Sequence, residues 1–474
     1  MKLARGVRRA LVWLVSTLLV LVVAVAAAMQ WIGLPQFGAG MAAKGVCSAA
    51  FVAGRPTKDL LAQEVFPASP LLYAVTVDID ELAHTVTARF AGFASRTAAL
   101  VRNRGCVLDA PADPTAQPYR PVADLTQPWP QGDAATTVSQ WGLGVDAGRL
   151  QKVVDDAFVG AGDPQAANAR GLAVVQHGRL LVLREAPGFA AGTPLHGWSM
   201  TKSVLGMLTH QLTAQNGLAL DAPVVNSFPQ GRAPAWVDAW RKDARKDIKV
   251  SDLLYMRDGL ASTEDYNPWG SVPQMLWSAP DAAAWAANHP LEAPAGARWR
   301  YLSATANLLS AVDRGRFNDD ASYWDYPRKA LFDPIGAKSA VMETDTHGTW
   351  VGSSYLWAST GDWARLGQLM LQDGVWGGKQ VLAPGWLQRA RTPSVSQGEG
   401  SAYTAMSYLY GDKANGECRK TPGIPEDTLA WSGHWGQTVA MIPSRGVVVV
   451  RLGWVHGPYD DCKLVSDLLA SLAK

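Results

Sequence analysis

The hydrophobic pattern changes period several times along the chain. Residues 171–184, Gly-Leu-Ala-Val-Val-Gln-His-Gly-Arg-Leu-Leu-Val-Leu-Arg, make two β-rich runs about His177-Gly178 and predict a hairpin. A second hairpin is predicted from Gln437-Thr-Val-Ala-Met-Ile, through a turn at 443–446, to Val447–Leu452, with a helix following over Asp460–Leu472. Arg149–Phe158 reads as a helix, and Ser199–Asn216 as another, stopped by Gly217 in the position of a C-cap. Strands at both ends of a region whose middle is helix-rich predict an α+β fold. One antiparallel sheet would form from both ends of the domain, with flanking helices and an inserted helical region.

Upstream the pattern is different. Residues 10–29 are almost wholly apolar, about the ~20 residues of a membrane-spanning helix, and Lys2, Arg5, Arg8 and Arg9 precede them with no acid. This predicts an inner-membrane anchor with the rest of the chain in the periplasm. The rival is a cleaved signal ending near Ala26-Ala27-Ala28, which would leave a secreted protein, and Arg8-Arg9 admits a twin-arginine signal. Residues 31 to about 65 are rich in small residues and read as a linker. Alternation marks short strands at Leu72–Thr76 and Thr85–Phe90, and six prolines between 109 and 131 exclude continuous helix or central strand there. The expected organisation is an anchor or signal over 1–30, a linker and extension packed on the main domain over 31–143, and the main domain over 144–474.

With 48% hydrophobic and 18% charged residues and a net charge of +2, the composition is that of a folded domain. The small positive excess is carried by the N-terminal cluster, so nothing suggests a nucleic-acid partner. Cys47, Cys106, Cys418 and Cys462 have no Cys-x-x-Cys spacing. In an oxidising compartment they read as two disulfides. Three connectivities are open, with Cys47–Cys106 and Cys418–Cys462 preferred because each pair is confined to one end of the chain; buried free thiols are the alternative. The eight histidines show no metal-ligand spacing, and no metal or cofactor is expected. Twenty tryptophans suit either core filling or an aromatic-walled cleft.

The chemistry is concentrated in Ser199-Met-Thr-Lys202. On a helix, positions i and i+3 share a face, so the Lys202 amine can reach the Ser199 hydroxyl without help from a distant loop. A desolvated lysine can shed its proton and act as base, and a serine at a helix N-terminus has backbone N–H groups that favour a developing oxyanion. Ser-x-x-Lys arises roughly once by chance in a chain this long. A plain N-cap serine is the competing reading.

Context decides. Ser199-x-x-Lys202 is followed by Tyr301-Leu302-Ser303 and then by His434-Trp435-Gly436 ahead of a C-terminal strand. The stretches 250–259, 294–296 and 358–367 lie between or beside them. In these elements and their order the chain resembles the penicillin-recognising serine hydrolases, the superfamily of serine β-lactamases, penicillin-binding proteins and class C-like esterases. The resemblance spans roughly residues 145–474. Within that superfamily it is most similar to the 6-aminohexanoate-dimer hydrolase group, through Met256–Tyr266.

The resemblance implies a small linear amide or ester as substrate, with Ser199 as nucleophile and Lys202 and Tyr301 sharing the proton. Lys202 would hold Tyr301 as a phenolate, and the backbone N–H groups of Ser199 and Gln437 would form the oxyanion hole. It also implies substrate contacts from Tyr266, whose hydroxyl would donate to an amide nitrogen, and from Ser303, His434, Trp435 and Gly436, with Asn307 a further lining candidate. Ser303 departs from the frequent Asn of the family, and His434 from the Lys of Lys-Thr-Gly, which weakens the case for a carboxylate-bearing substrate. Alternatives within the fold are a D-amino-acid peptidase or carboxylesterase. A membrane-anchored sensor of cell-wall fragments or β-lactams, with little turnover, is the alternative outside catalysis. A Ser-His-Asp triad using His196 or His434 is disfavoured because Gly197-Trp-Ser199-Met-Thr201 lacks the last glycine of a nucleophile elbow. The oligomeric state is not legible.

Overall fold

The valine run 447–450 shows how the fold is built. In the computed structural model, which describes residues 11–21, 24, 27 and 33–472 apart from 122, 143, 164–166, 396–397 and 458, this run is a central strand covered on both faces. Val448 and Val450 join the core that contains Trp363, Leu366 and Val439, whereas Val447 and Val449 join Leu150, Val154, Val465 and Leu468 on the other side. A strand covered on both faces needs no polar alternation, hence the unbroken run.

The main sheet is six-stranded. Leaving aside a short hairpin of Val375–Trp376 with Lys379–Gln380, its strands and those of the four-stranded and three-stranded sheets are, in chain order, β1 (Val75–Asp80), β2 (Thr85–Phe90), β3 (Ala94–Val101), β4 (Gly105–Leu108), β5 (Ala169–Gln176), β6 (Arg179–Glu185), β7 (Leu195–His196), β8 (Val341–Met342), β9 (Leu356–Ala358), β10 (Tyr408–Leu409), β11 (Leu429–Gly433), β12 (Gln437–Ile442) and β13 (Val447–Gly453). The spatial order of the large sheet is β10-β11-β12-β13-β5-β6, antiparallel throughout, and the β13–β5 ladder pairs Val449 with Val174. The two predicted hairpins thus join along one edge each, and the helical region between them is inserted. The α+β architecture is the one expected from the pattern.

The principal helices are α1 (Leu34–Cys47), α2 (Ala147–Ala157), α3 (Met200–Gln215), α4 (Ser303–Gly315), α5 (Thr360–Leu371) and α6 (Asp461–Leu469). Helix α2 begins where Asp146 accepts a hydrogen bond from the Arg149 N–H, and α6 where Asp460 does the same for Lys463. Both cover one face of the large sheet, and α5 covers the other.

One N-terminal expectation changes, and another falls partly outside the described residues. Among the described residues no helix is long and apolar enough to cross a membrane. Residues 11–21 are helical with exposed apolar side chains, and most of the remaining expected span, like the basic cluster before it, lies outside the described residues. The linker expected from residue 31 is instead the buried helix α1 and the turns after it. Its small residues mark close packing: a Cβ at Gly40 would lie 2.5 Å from the Trp277 carbonyl oxygen. Helix α1 packs on β2 and β3 of a four-stranded antiparallel meander, β1 to β4, placing the N-terminal extension against the main domain. The segment Leu72–Thr76 is a short 3-10 turn that runs into β1.

The extension is cross-linked within itself by a disulfide and tied to the main domain by buried ion pairs. Disulfides join Cys47 to Cys106 and Cys418 to Cys462. The fully buried Glu343 carboxylate lies 2.5 Å from Lys44 Nζ and accepts hydrogen bonds from Ser48 Oγ (2.9 Å), the Cys106 N–H (2.7 Å) and Trp357 Nε1 (2.8 Å). Burial lowers the Lys44 pKa, and Glu343 opposes that shift. Glu64 is likewise buried between Arg170 and Arg55. Burial alone would raise its pKa, but the two guanidinium charges hold it down at about 2. Removing one partner of a buried pair strands the other charge. Glu343→Ala should therefore cost about 3–5 kcal/mol of unfolding free energy in urea titration. A loss below about 1 kcal/mol, the scale of a surface pair, would show that this carboxylate does not fix the extension.

Candidate active site

The turn carrying Ser199 is tightly held. Its preceding strand β7 pairs with β9, the Gly197 N–H donates to the Leu356 carbonyl at 2.9 Å, and Trp198 takes a left-handed φ of 49°. Such a conformation is costly for a bulky residue and persists only when its surroundings impose it. Thr201 imposes it from inside α3: its hydroxyl donates to the Trp198 carbonyl (2.6 Å) and accepts from the Leu356 N–H (3.0 Å). Ser199 is then the N-cap of α3, one turn from Lys202.

Lys202 is 1% exposed. Its Nζ donates to Ser199 Oγ at 2.9 Å, Ser303 Oγ at 3.0 Å and the Ser353 carbonyl at 3.0 Å. Burial pulls its pKa down to about 8, against an upward pull from the Glu264 charge. Asn307 acts behind this arrangement rather than lining the site: it is fully buried, and its Oδ1 accepts from the Ser353 N–H at 3.2 Å.

Ser303 also takes a different part from the one expected of it. It is fully buried, and its hydroxyl donates to Glu264 Oε1 (2.7 Å) while accepting from Lys202. The Ser303 N–H, in the first turn of α4, donates to Glu264 Oε2 (2.6 Å), so both carboxylate oxygens are engaged at a helix N-terminus. Glu264 is the residue that sequence reasoning missed. It stands two positions before Tyr266, and an acid in a polar loop carries no signal of its own.

The two tyrosines converge on the nucleophile. Tyr301 and Tyr266 both stand close enough to Ser199 for its hydroxyl to pull their pKa values down against the larger effects that raise them. Burial drives both hydroxyls well above the ordinary phenol pKa, helped at Tyr301 by Tyr408 and Tyr403 and at Tyr266 by Glu264. The Lys202 Nζ lies over the Tyr301 ring, 4.8 Å from its centroid. The phenolate expected at Tyr301 does not fit this environment, because desolvation and its neighbours favour the neutral phenol.

The His434-Trp435-Gly436 element connects β11 to β12. His434 stacks on Tyr266 with ring centroids 4.3 Å apart and planes within 8°, and burial lowers its pKa to about 4, so the ring is neutral near pH 7. Trp435 meets Trp198 edge-on at 5.1 Å. Gly436 has φ 80°, and a Cβ there would lie 2.6 Å from an Arg451 nitrogen, so no other residue fits without displacing that buried guanidinium. The Gln437 side-chain amide braces the turn by donating to the carbonyls of His434, Trp435 and Gly453. This edge abuts the nucleophile turn, for a Cβ at Gly433 would lie 2.4 Å from the Gly197 carbonyl. His196 is committed elsewhere: its Nε2 pairs with the Ser354 carbonyl at 2.8 Å, it stacks on Trp357, and burial lowers its pKa to about 3.

The Beta-lactamase family model matches residues 154–461. No curated protein matches the chain in sequence. Among solved structures, a penicillin-binding protein homologue from Caulobacter crescentus is similar with 17% identity and a TM-score of 0.51, covering 69% of this chain and 99% of its own. A family VIII carboxylesterase is similar with 13% identity and a TM-score of 0.51, over 69% and 98%. A Bacillus anthracis protein described as a candidate 6-aminohexanoate-dimer hydrolase is similar with 17% identity and a TM-score of 0.50, over 67% and 80%. At such identities the likeness is one of fold.

The state of Lys202 sets a pH dependence. Only the neutral amine can accept the Ser199 proton, and its fraction rises with pH. The rate at which a fluorophosphonate labels Ser199 should therefore climb with pH and level off above about 8. Because the Glu264 charge raises the Lys202 pKa, Glu264→Gln should move that midpoint to lower pH. A midpoint unmoved or moved upward in that variant would contradict the electrostatic account.

Proposed function

Because the chain belongs to the Beta-lactamase family, we propose that it is a serine hydrolase of that fold, cleaving small linear amides or esters through an acyl-enzyme on Ser199. The observation that carries this reading is the 2.9 Å contact between Ser199 Oγ and a buried Lys202 whose pKa is lowered to about 8. Lys202 takes the Ser199 proton as the oxygen attacks the substrate carbonyl. The backbone N–H groups of Ser199 and Gln437 receive the negative charge that develops on the carbonyl oxygen. The proton returns through Tyr301, as a neutral phenol, to the departing nitrogen or oxygen, and water releases the acyl group by the reverse sequence.

The substrate class follows from charge. A neutral His434 stands at the position where a cation would bind a carboxylate, which favours uncharged groups beside the scissile bond. Tyr266, near Ser199 and stacked on His434, is placed to donate to an amide nitrogen. The two disulfides suit an oxidising compartment, and we assign the enzyme to the periplasmic side of a membrane or to the exterior.

The reading is tested with a panel of nitrophenyl esters, a linear 6-aminohexanoate dimer, D-alanyl peptides and a chromogenic cephalosporin. Ser199→Ala should lower turnover of the accepted class by about three orders of magnitude or more. A lasting adduct on Ser199 with no product would instead identify a sensor. Tyr266→Phe should impair amide cleavage more than ester cleavage, because an amine leaves only once protonated; equal losses on both would remove Tyr266 from that role.

A further inference from the structure

A cavity of about 380 Å³ opens beside the nucleophile, and nearly half of its lining comes from a part of the chain outside the family match. One wall is Tyr266, His434, Trp198 and Trp435, from the site already described. The other includes Phe37 and Met41 of α1, and Leu71 and Leu72 ahead of β1. Phe37 and Leu72 are buried, while Leu71 is 44% exposed. Trp198, the residue before Ser199, and Tyr266 belong to the lining, so one end of the cavity lies beside the serine.

We propose that the N-terminal extension builds an acyl-chain subsite in this cavity, and that it selects substrates whose acyl group is an uncharged aliphatic chain. The proposal rests on the serine hydrolase reading and adds to it the identity of the acyl group. Three observations carry it. The wall from the extension is aliphatic and aromatic but for Ser69, as pockets that bind apolar groups are. No lysine or arginine lines the cavity among the described residues, and its one carboxylate, Asp265, would repel an anionic chain end. Tyr301 and the tyrosines packed beside it, Tyr403 and Tyr408, lie outside the lining. With Tyr266 meeting the scissile bond where the cavity begins, the leaving group lies on the Tyr301 side of Ser199 and the cavity beyond Tyr266 takes the acyl part.

The wall is also rigid. Helix α1 is fixed by the Cys47–Cys106 disulfide and the Lys44–Glu343 pair, and the residues after it by Glu64 with Arg170. A subsite preorganised in this way discriminates chain length, since each further methylene is buried without new ordering of the protein.

The full chain would be assayed on nitrophenyl acetate, butyrate and octanoate, with octanamide binding to Ser199→Ala measured in parallel by calorimetry. The proposal expects kcat/KM to rise by about tenfold or more from acetate to octanoate. Leu71→Trp, at a half-exposed position that tolerates a larger side chain, should lower the octanoate-to-acetate ratio about tenfold and weaken octanamide binding to match. Ester turnover with a flat chain-length profile and no octanamide binding would overturn the subsite and leave the hydrolase reading standing. Octanamide binding that Leu71→Trp weakens, with no turnover of any substrate, would keep the subsite and remove the hydrolase reading. A rising profile indifferent to Leu71→Trp would overturn the part assigned to the extension. Preference for an acyl chain ending in an ammonium group would overturn the uncharged assignment.

Discussion

The arrangement of this molecule depends on one buried amine. Among the described residues Lys202 has no carboxylate within hydrogen-bonding distance; its three acceptors there are two hydroxyls and a carbonyl. Lowering its pKa from 10.5 to about 8 corresponds to a desolvation cost on the order of 3 kcal/mol for the charged form. That cost is carried by the folded state below about pH 8 and falls away as pH rises toward 10.5, where the unfolded chain also loses the proton. A closer carboxylate would relieve it and abolish the base. Glu264 is held one step back, its charge reaching Lys202 through the Ser303 hydroxyl.

The rest of the structure maintains that separation. Helix α4 starts at Ser303 and offers its first N–H to Glu264, while Asn307, one turn on, orients Ser353 and thereby the third acceptor. Asp258 ties the loop that bears Glu264 and Tyr266 to the same helix through Thr305, and also caps its own turn at the Leu260 N–H. Two sides of the site are thus set by one helix and the loop bound to it. The third, β11 and β12, is set by the central sheet, whose strands come from opposite ends of the domain. Closing that sheet brings the Gly433–Gln437 turn against the nucleophile.

Much of this was legible in the amino-acid order. The two hairpins, the helix behind Ser199 and the convergence of Ser199, Lys202 and Tyr301 follow from period and spacing together with the family resemblance. What was not legible has a common cause. The residues 34–47 look like a linker because Gly and Ala lower the hydrophobic signal, yet small side chains are what a helix needs in order to press against a sheet and the Trp277 backbone. Glu264 and the positioning role of Asn307 depend on contacts with Ser303 and Ser353, 39 and 46 positions away. No local pattern encodes such pairs. The tryptophans divide in the same way: Trp240, Trp350, Trp363, Trp386 and Trp431 are fully buried core, while Trp198 and Trp435 face the cavity, and composition alone does not separate them.

The ionisation states form a consistent set. Burial keeps Tyr301 and Tyr266 protonated, His434 neutral and Lys202 close to losing its proton, so near pH 8 the groups that meet Ser199 carry little net charge. In such an environment a full negative charge on a tetrahedral intermediate would be poorly tolerated unless it appeared where donors already point, at the start of α3 and at the edge of β12. The same low polarity disfavours a charged group on the substrate. Electrostatics and the apolar wall supplied by α1 therefore favour the same kind of ligand, although one arises in the family domain and the other in the segment packed against it.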